Sequence, residues 1–235
     1  MTTLVVSATS LEVAPLIQRE VGLRVEGAGT PGTLLSGERC DILITGVGQV
    51  ACAAHVSRAL MRGGYTRALQ AGIAGSFTHD LPIGTVAVVS EEGFADLGAE
   101  SHGGFLDLFE MGLMREDVPP FTGRFLVAPP FEATALPDLP RVRSVTVNRV
   151  LSEPHSITWV RDRYTPSLVN MEGAAFFYVA LLQQVPFIAL RSVSDMVGPR
   201  DKGAWRIPEA VAALDQVLAR ALGQSWGGGN PSKTE

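Results

Sequence analysis

Cysteine is nearly absent from this chain. Its 235 residues hold only Cys40 and Cys52, too few for a disulfide framework and without metal-ligand spacing. Both stand beside core-type segments and read as reduced, buried thiols of a cytoplasmic protein. Long hydrophobic runs are missing as well: none approaches the ~20 residues that span a bilayer. No basic region precedes the first apolar stretch, so a soluble protein without membrane attachment is expected. Lys and Arg nowhere cluster, and the net charge is −5, which excludes a groove built to neutralise nucleic-acid phosphates. His55, His79, His102 and His155 lack metal-ligand spacing, so no metal is expected. No internal repeat and no domain linker is found.

What is present is apolar residue and glycine, 46% and 25 residues respectively, enough for a full-sized core in one domain over residues 1–222. Residues 223–235, rich in Gly and polar residues, read as a disordered tail. Short Val/Ile/Leu-rich runs at 3–8, 41–45, 67–71, 84–90, 124–128, 142–147 and 185–191 predict strands, several without alternation, as strands covered on both faces read. Helical patterns fall between them. Leu11 to Val21 follows Ser10 as N-cap. Gln49 to Met61 carries Val50, Ala53, Ala54, Ser57 and Leu60 at helical spacing. Gly173 to Gln184 is nearly all apolar, and Trp205 to Leu222 is amphipathic through Ile207, Val211, Leu214, Leu218 and Leu222. Such alternation predicts an α/β fold around a central, largely parallel sheet. The Pro-rich stretch 118–140 reads as loops around a strand.

Gly46-Val-Gly48-Gln-Val-Ala51 matches the G-x-G-x-x-A dinucleotide fingerprint. That fingerprint needs an acid about 20 residues on to bind a ribose hydroxyl, and no Asp or Glu occurs from Ile42 through His79. No nucleotide cofactor is expected. The glycines still permit close backbone approach, and the N–H groups of that helix start could hold a polar group.

Three carboxylates end apolar stretches: Glu12 after the first strand, Glu172 at the head of a helix, and Asp195 at the end of a strand. Such positions are costly in a core and natural at the mouth of an α/β pocket. Each has an ordinary reading too. Glu12 and Glu172 could be first-turn acids facing a helix dipole, and Asp195 with Ser194 could cap a helix. Met171 could be plain core. Arg191, inside a strand-like run, requires a carboxylate partner if buried.

Glu12, Thr45-Gly-Val-Gly48, Ala71-Gly-Ile-Ala-Gly75, Asn170-Met-Glu-Gly173 and Arg191-Ser-Val-Ser-Asp195 follow one another in an order and spacing that resembles the nucleoside phosphorylase/nucleosidase superfamily. The resemblance covers roughly residues 3–222. It is nearest to the hydrolytic branch, the methylthioadenosine/adenosylhomocysteine nucleosidases, and within it to the futalosine hydrolases. The narrower match rests on Glu91 to Glu100, Phe105 to Gly112, Thr146-Val-Asn148, and Val197 to Asp201 with Trp205.

The resemblance implies a three-layer α/β/α fold with a mixed, largely parallel, twisted sheet. It implies hydrolysis of the N-glycosidic bond of futalosine, in menaquinone biosynthesis, with hypoxanthine and dehypoxanthine futalosine as products. A methylthioadenosine/adenosylhomocysteine nucleosidase, or an aminofutalosine nucleosidase releasing adenine, is the alternative; a silent nucleoside-binding protein would lack use for three intact acids. By the same resemblance Asp195 donates a proton to purine N7, Glu172 accepts from the ribose hydroxyls, Met171 packs under the ribose and Glu12 activates water. The first loop, Ser7 to Glu12, offers no arginine for phosphate and presents a charge that would repel it. Gly75, Phe94, Phe105, Phe109, Asn148 and Arg149 are the implied substrate-lining positions, and Arg191 would orient Glu12 or Glu172 from behind. Phe109 and Met111 would wall the 5′ end, where Arg115, Arg149 or Arg200 would meet a carboxylate. Ile73 stands where these nucleosidases carry a hydroxyl residue, so Ser76 or the backbone has to supply that hydrogen bond. A homodimer or higher homo-oligomer, with no cofactor, completes the expectation.

Overall fold

The structure, a computed structural model, describes residues 2–20, 22–26, 30–101, 104–129, 136–199, 203 and 205–223. The tail beyond 223 lies outside the described residues. The chain runs through β1 (Thr2–Ser7), α1 (Ala14–Arg19), β2 (Arg24–Glu26), β3 (Thr33–Ser36), β4 (Cys40–Ile44) and α2 (Gln49–Met61). It continues with β5 (Tyr65–Ser76), β6 (Val86–Phe94), β7 (Gly98–Ser101), β8 (Gly104–Asp107), β9 (Phe121–Thr122), β10 (Phe125–Val127) and β11 (Arg141–Thr146). It closes with α3 (Pro154–Tyr164), β12 (Leu168–Asn170), α4 (Gly173–Leu182), β13 (Phe187–Met196) and α5 (Ile207–Leu222).

All strands but β7 and β8 belong to one mixed sheet. Its centre is parallel: β1 pairs with β4 and β5, β5 with β13, and β11 with β6 and β12. Its margins are antiparallel, through β2–β3–β4 at one end and β6–β10–β9 at the other. The long β5 serves β1, β13 and, antiparallel, the short β12. Because β13 also pairs antiparallel with β6, the strands β5, β12, β11, β6 and β13 close a ring, which removes their edges.

Both faces of the sheet are apolar, so alternate residues enter different cores. Leu4, Val6, Leu43, Ala68, Ala87, Val89, Phe187 and Ala189 pack with α2 and α4. Val5, Ile42, Leu69, Val86, Val88, Ile188 and Leu190 pack with α1 and α5. This is the three-layer α/β/α arrangement. A smaller core joins Ala95, Val145 and Val147 to Val160 and Tyr164 of α3. Among the described residues no helix is long and apolar enough to cross a membrane.

Several expectations change in detail. Ser10 does not cap the first helix; residues 10–13 form turns, and α1 starts at Ala14 with Pro15 in its first turn. In α2 the inward stripe is Cys52, Val56, Ala59 and Leu60, whereas Val50 is 83% exposed. Alanine and valine populate both faces of that helix, so periodicity alone could not choose between them. Helix α3 went unread because His155, Ser156, Arg161, Asp162 and Arg163 leave only Val160 and Tyr164 to bury. The fully apolar α4, by contrast, is buried as its composition demands, with Phe176 and Phe177 packed edge-on against Phe187 at 5.3 and 4.7 Å between ring centroids. Phe177→Ala should cost about 3–5 kcal/mol of stability, readable as a lower urea midpoint at unchanged slope.

Candidate active site

Strand ends β1, β5, β12 and β13 and the turns that follow them surround a cavity of about 310 Å³. Glu12, Gly75, Met171, Glu172 and Asp195 line it, with Ile73, Val47, Val150, Leu151, Trp205 and Ile207 as apolar walls. Three acids from distant segments therefore meet where strands stop.

Glu12 is buried and fully engaged. Its Oε2 accepts from Thr9 N and Thr9 Oγ1, both at 2.9 Å, and from Ser7 Oγ at 3.3 Å. Its Oε1 accepts from Ile73 N at 3.1 Å. The backbone of Ile73 thus supplies a hydrogen bond that its side chain cannot. Ser76 is turned away, its Oγ donating to Thr78 O at 2.8 Å. Gly72 packs closely here: a Cβ on it would lie 3.1 Å from Glu12 Oε1, tight enough that the carboxylate would have to give by a few tenths of an ångström.

Glu172 occupies the N-cap position of α4. Its Oε1 accepts from Gly48 N at 2.8 Å, so the glycine-rich start of α2 binds a protein carboxylate. Gly48 adopts φ +96°, a left-handed-side conformation that suits glycine. Burial raises the Glu172 pKa, while the Gly48 N–H and the Arg191 charge oppose the rise. Asp195 lies within β13 and caps no helix; its Oδ1 accepts from Ser194 Oγ at 2.7 Å. Burial raises its pKa above the usual carboxylate value, with the Ser194 bond acting the other way.

Behind these acids lies a polar cluster built on Glu92, a residue that the sequence motifs include without a role of its own. Glu92 of β6 is 0% exposed, and burial pushes its pKa up to about 7 against the pull of Arg191, Asn170, Thr146 and Ser144. Glu92 Oε1 accepts from Thr146 Oγ1 at 3.0 Å and Oε2 from Asn170 Nδ2 at 2.9 Å. Arg191 is 2% exposed; it donates to Leu190 O at 3.1 Å and Asn170 Oδ1 at 3.4 Å, rather than to Glu12 or Glu172. An acid in a strand that opens Val-Ala-Val-Val was the available signal, since a carboxylate there must be neutral or paired.

The other implied lining residues lie elsewhere. Phe94 and Phe109 face a second hollow with Phe121 and Tyr178. Asn148 binds Asp96, through its N at 2.5 Å and its Nδ2 at 3.0 Å. Arg149 lines a third hollow with Phe105, His155 and Trp159, which shares Val147 and Leu151 with the main cavity. Met111 is exposed, Arg115 is paired with Asp117 at 2.7 Å, and Arg200 lies outside the described residues. Among the described residues no cluster of His, Cys, Asp or Glu is arranged to hold a metal ion.

Comparison with known proteins gives one family. The family model described as the phosphorylase superfamily matches residues 2–223. A futalosine hydrolase from Streptomyces coelicolor is 35% identical over 196 residues, covering 79% of this chain and 80% of the relative. A futalosine hydrolase from Thermus thermophilus is 30% identical over 230 residues, covering 97% and 98%. A solved 5′-methylthioadenosine/S-adenosylhomocysteine nucleosidase from Colwellia psychrerythraea, in complex with adenine, superposes with a TM-score of 0.79 at 21% identity, covering 97% of this chain and 96% of that one.

The buried carboxyls make a pH prediction. Glu92 holds its proton up to about pH 7 when folded but only to about 4.3 when unfolded. Its contribution to stability is therefore fully present below the unfolded value and lost as pH rises through the folded one; Glu172 and Asp195, also raised, act with the same sign. The melting temperature should fall between pH 5 and pH 8, and Glu92→Gln should flatten that slope; an unchanged slope would refute the assignment.

Proposed function

The chain belongs to the phosphorylase superfamily, and from that premise we propose that it is a nucleosidase that hydrolyses the N-glycosidic bond of futalosine. The products are hypoxanthine and dehypoxanthine futalosine, and the setting is cytoplasmic menaquinone biosynthesis. The carrying observation is the convergence of Glu12, Glu172 and Asp195 with Met171 on one cavity. The likeness to futalosine hydrolases along most of the chain supports the choice of substrate.

Cleavage of the bond between the ribose anomeric carbon and purine N9 sends its electron pair into the purine and leaves a cationic ribosyl ring. Asp195, whose pKa burial raises, donates to N7 and neutralises the departing base. Glu172 accepts from the ribose 2′- and 3′-hydroxyls, over Met171, and its charge faces the cation. Held by Gly48 N, it needs little reorganisation as that charge develops. Glu12 takes a proton from water, whose oxygen then bonds to the anomeric carbon. Its own fourfold hydrogen bonding fixes it for that task.

Water, rather than phosphate, is favoured as the nucleophile. Among the described lining residues none is Lys or Arg, and Glu12 would repel an anion. For the 5′ carboxylate of futalosine, Arg149 in the adjoining hollow and Arg200 remain the proposed cations. Exposed Leu11, Val47 and Val150 at the cavity suit closure of the 5′ side by a second copy of this chain, giving a homo-oligomer.

In phosphate-free buffer, futalosine should release hypoxanthine, with aminofutalosine and methylthioadenosine far slower; preferential release of adenine from methylthioadenosine would move the substrate to the thioether nucleosides. Phosphate should not accelerate release, and appearance of a sugar 1-phosphate would overturn the hydrolytic reading. Glu172→Gln should keep the fold and lose turnover by a factor on the order of 10² or more.

A further inference from the structure

Helix α4 begins deep in the protein, and its first N–H groups have no intrahelical partner. Glu172 N and Gly173 N donate to Asn170 Oδ1, at 2.9 and 2.6 Å. Ala174 N donates to Thr146 Oγ1 at 2.8 Å. Asn170 and Thr146 are both in turn held by Glu92, and Asn170 Nδ2 also donates to Ser144 Oγ at 2.9 Å. Glu92 reaches the helix start because residue 173 is glycine: a Cβ there would fall onto Glu92 Oε2.

Thr146 Oγ1 accepts from Ala174 N, and its proton finds Glu92 Oε1 at 3.0 Å, closer than Asn170 Oδ1 at 3.4 Å. Asn170 turns its oxygen to the helix and its amide to Glu92 and Ser144. Above about pH 7, where Glu92 is ionised, its carboxylate offers acceptors on both oxygens, so it satisfies both donors at once and locks the Asn170 amide against rotation. Arg191, on the facing strand, is the cation whose charge acts on Glu92 and on Glu172.

We propose that Glu92 is a positioning residue for bond cleavage, acting through Asn170 and Thr146 on the first turn of α4 and so on the Glu172 carboxylate. The role in turnover rests on the nucleosidase reading; the role in placing Glu172 does not. Gln at 92 has one acceptor oxygen and one donor amide. With its oxygen on Asn170 Nδ2, its amide meets Thr146 Oγ1, whose hydroxyl must then turn to Asn170 Oδ1, 3.4 Å away, and the bonding at the helix start is rearranged.

The test measures kcat and KM for futalosine with Glu92→Gln, Thr146→Val and Thr146→Ser beside the wild type, at a pH above about 7, where Glu92 is ionised, and at a temperature where each variant is folded. Glu92→Gln and Thr146→Val should lower kcat on the order of 10- to 100-fold, as small misplacements of catalytic groups do, with KM changed less than about threefold. Thr146→Ser, which keeps the hydroxyl, should recover most of the rate. Folded variants with wild-type kcat would overturn the proposal, as would equal losses in Thr146→Val and Thr146→Ser. A wild type that cleaves no nucleoside defeats the nucleosidase reading alone, because crystal structures still decide the placement. In Thr146→Val, Glu172 should leave Gly48 N, and an unmoved Glu172 would refute the proposal. Should Glu92→Gln fail to fold, the Thr146 pair carries both readouts.

Discussion

A buried carboxylate and a buried guanidinium share the closed ring of strands, and the site depends on how they are satisfied. Glu92 stands on β6 and Arg191 on β13, both all but sealed from solvent. Desolvating such charges costs several kcal/mol each unless polar partners compensate. Here β11 contributes Ser144 and Thr146, β12 contributes Asn170, and β5 contributes Gly72, which lies against Arg191 and Glu12. Each strand of the ring thus places a residue around the same polar knot. Strand β13 carries Arg191 onward to Asp195, and β12 leads through Asn170 into Glu172, so fixing the knot also fixes the cavity wall.

The layered fold explains why such a knot stays confined to one end of the ring. Along the central strands most other buried side chains are apolar and enter one of the two main cores. Polar residues accumulate where strands end: Glu12 beyond β1, Glu172 beyond β12, Asp195 near the end of β13. The convergence that makes this end unsuitable for a dry core makes it suitable for a charged transition state. Gly173 leaves the space that Glu92 fills, and Gly48 takes a positive φ where its N–H meets Glu172.

Much of this was legible in the sequence, and what was not has physical causes. The strand runs and the apolar α4 could be read because composition alone dictates two-sided burial. The inward face of α2 could not, because small apolar residues cover both sides of it. Glu12, Glu172 and Asp195 stood out because each ends an apolar stretch. Glu92 did not, since its meaning lies in Asn170 and Thr146, 78 and 54 residues away, and pattern within a segment does not register such pairings. For the same reason Phe94, Phe109 and Asn148, expected by resemblance to line the substrate, are not among the residues lining the main cavity. Loop geometry is set by tertiary contacts that short motifs do not encode.

The account makes one central claim, that this cavity breaks a glycosidic bond by adding water to the sugar. Cleavage of futalosine in ¹⁸O-labelled water with inorganic phosphate present tests it directly, by mass spectrometry of the sugar product. The account predicts one ¹⁸O on the anomeric hydroxyl and free purine in equal amount. An unlabelled sugar 1-phosphate, or no release of base, would contradict it.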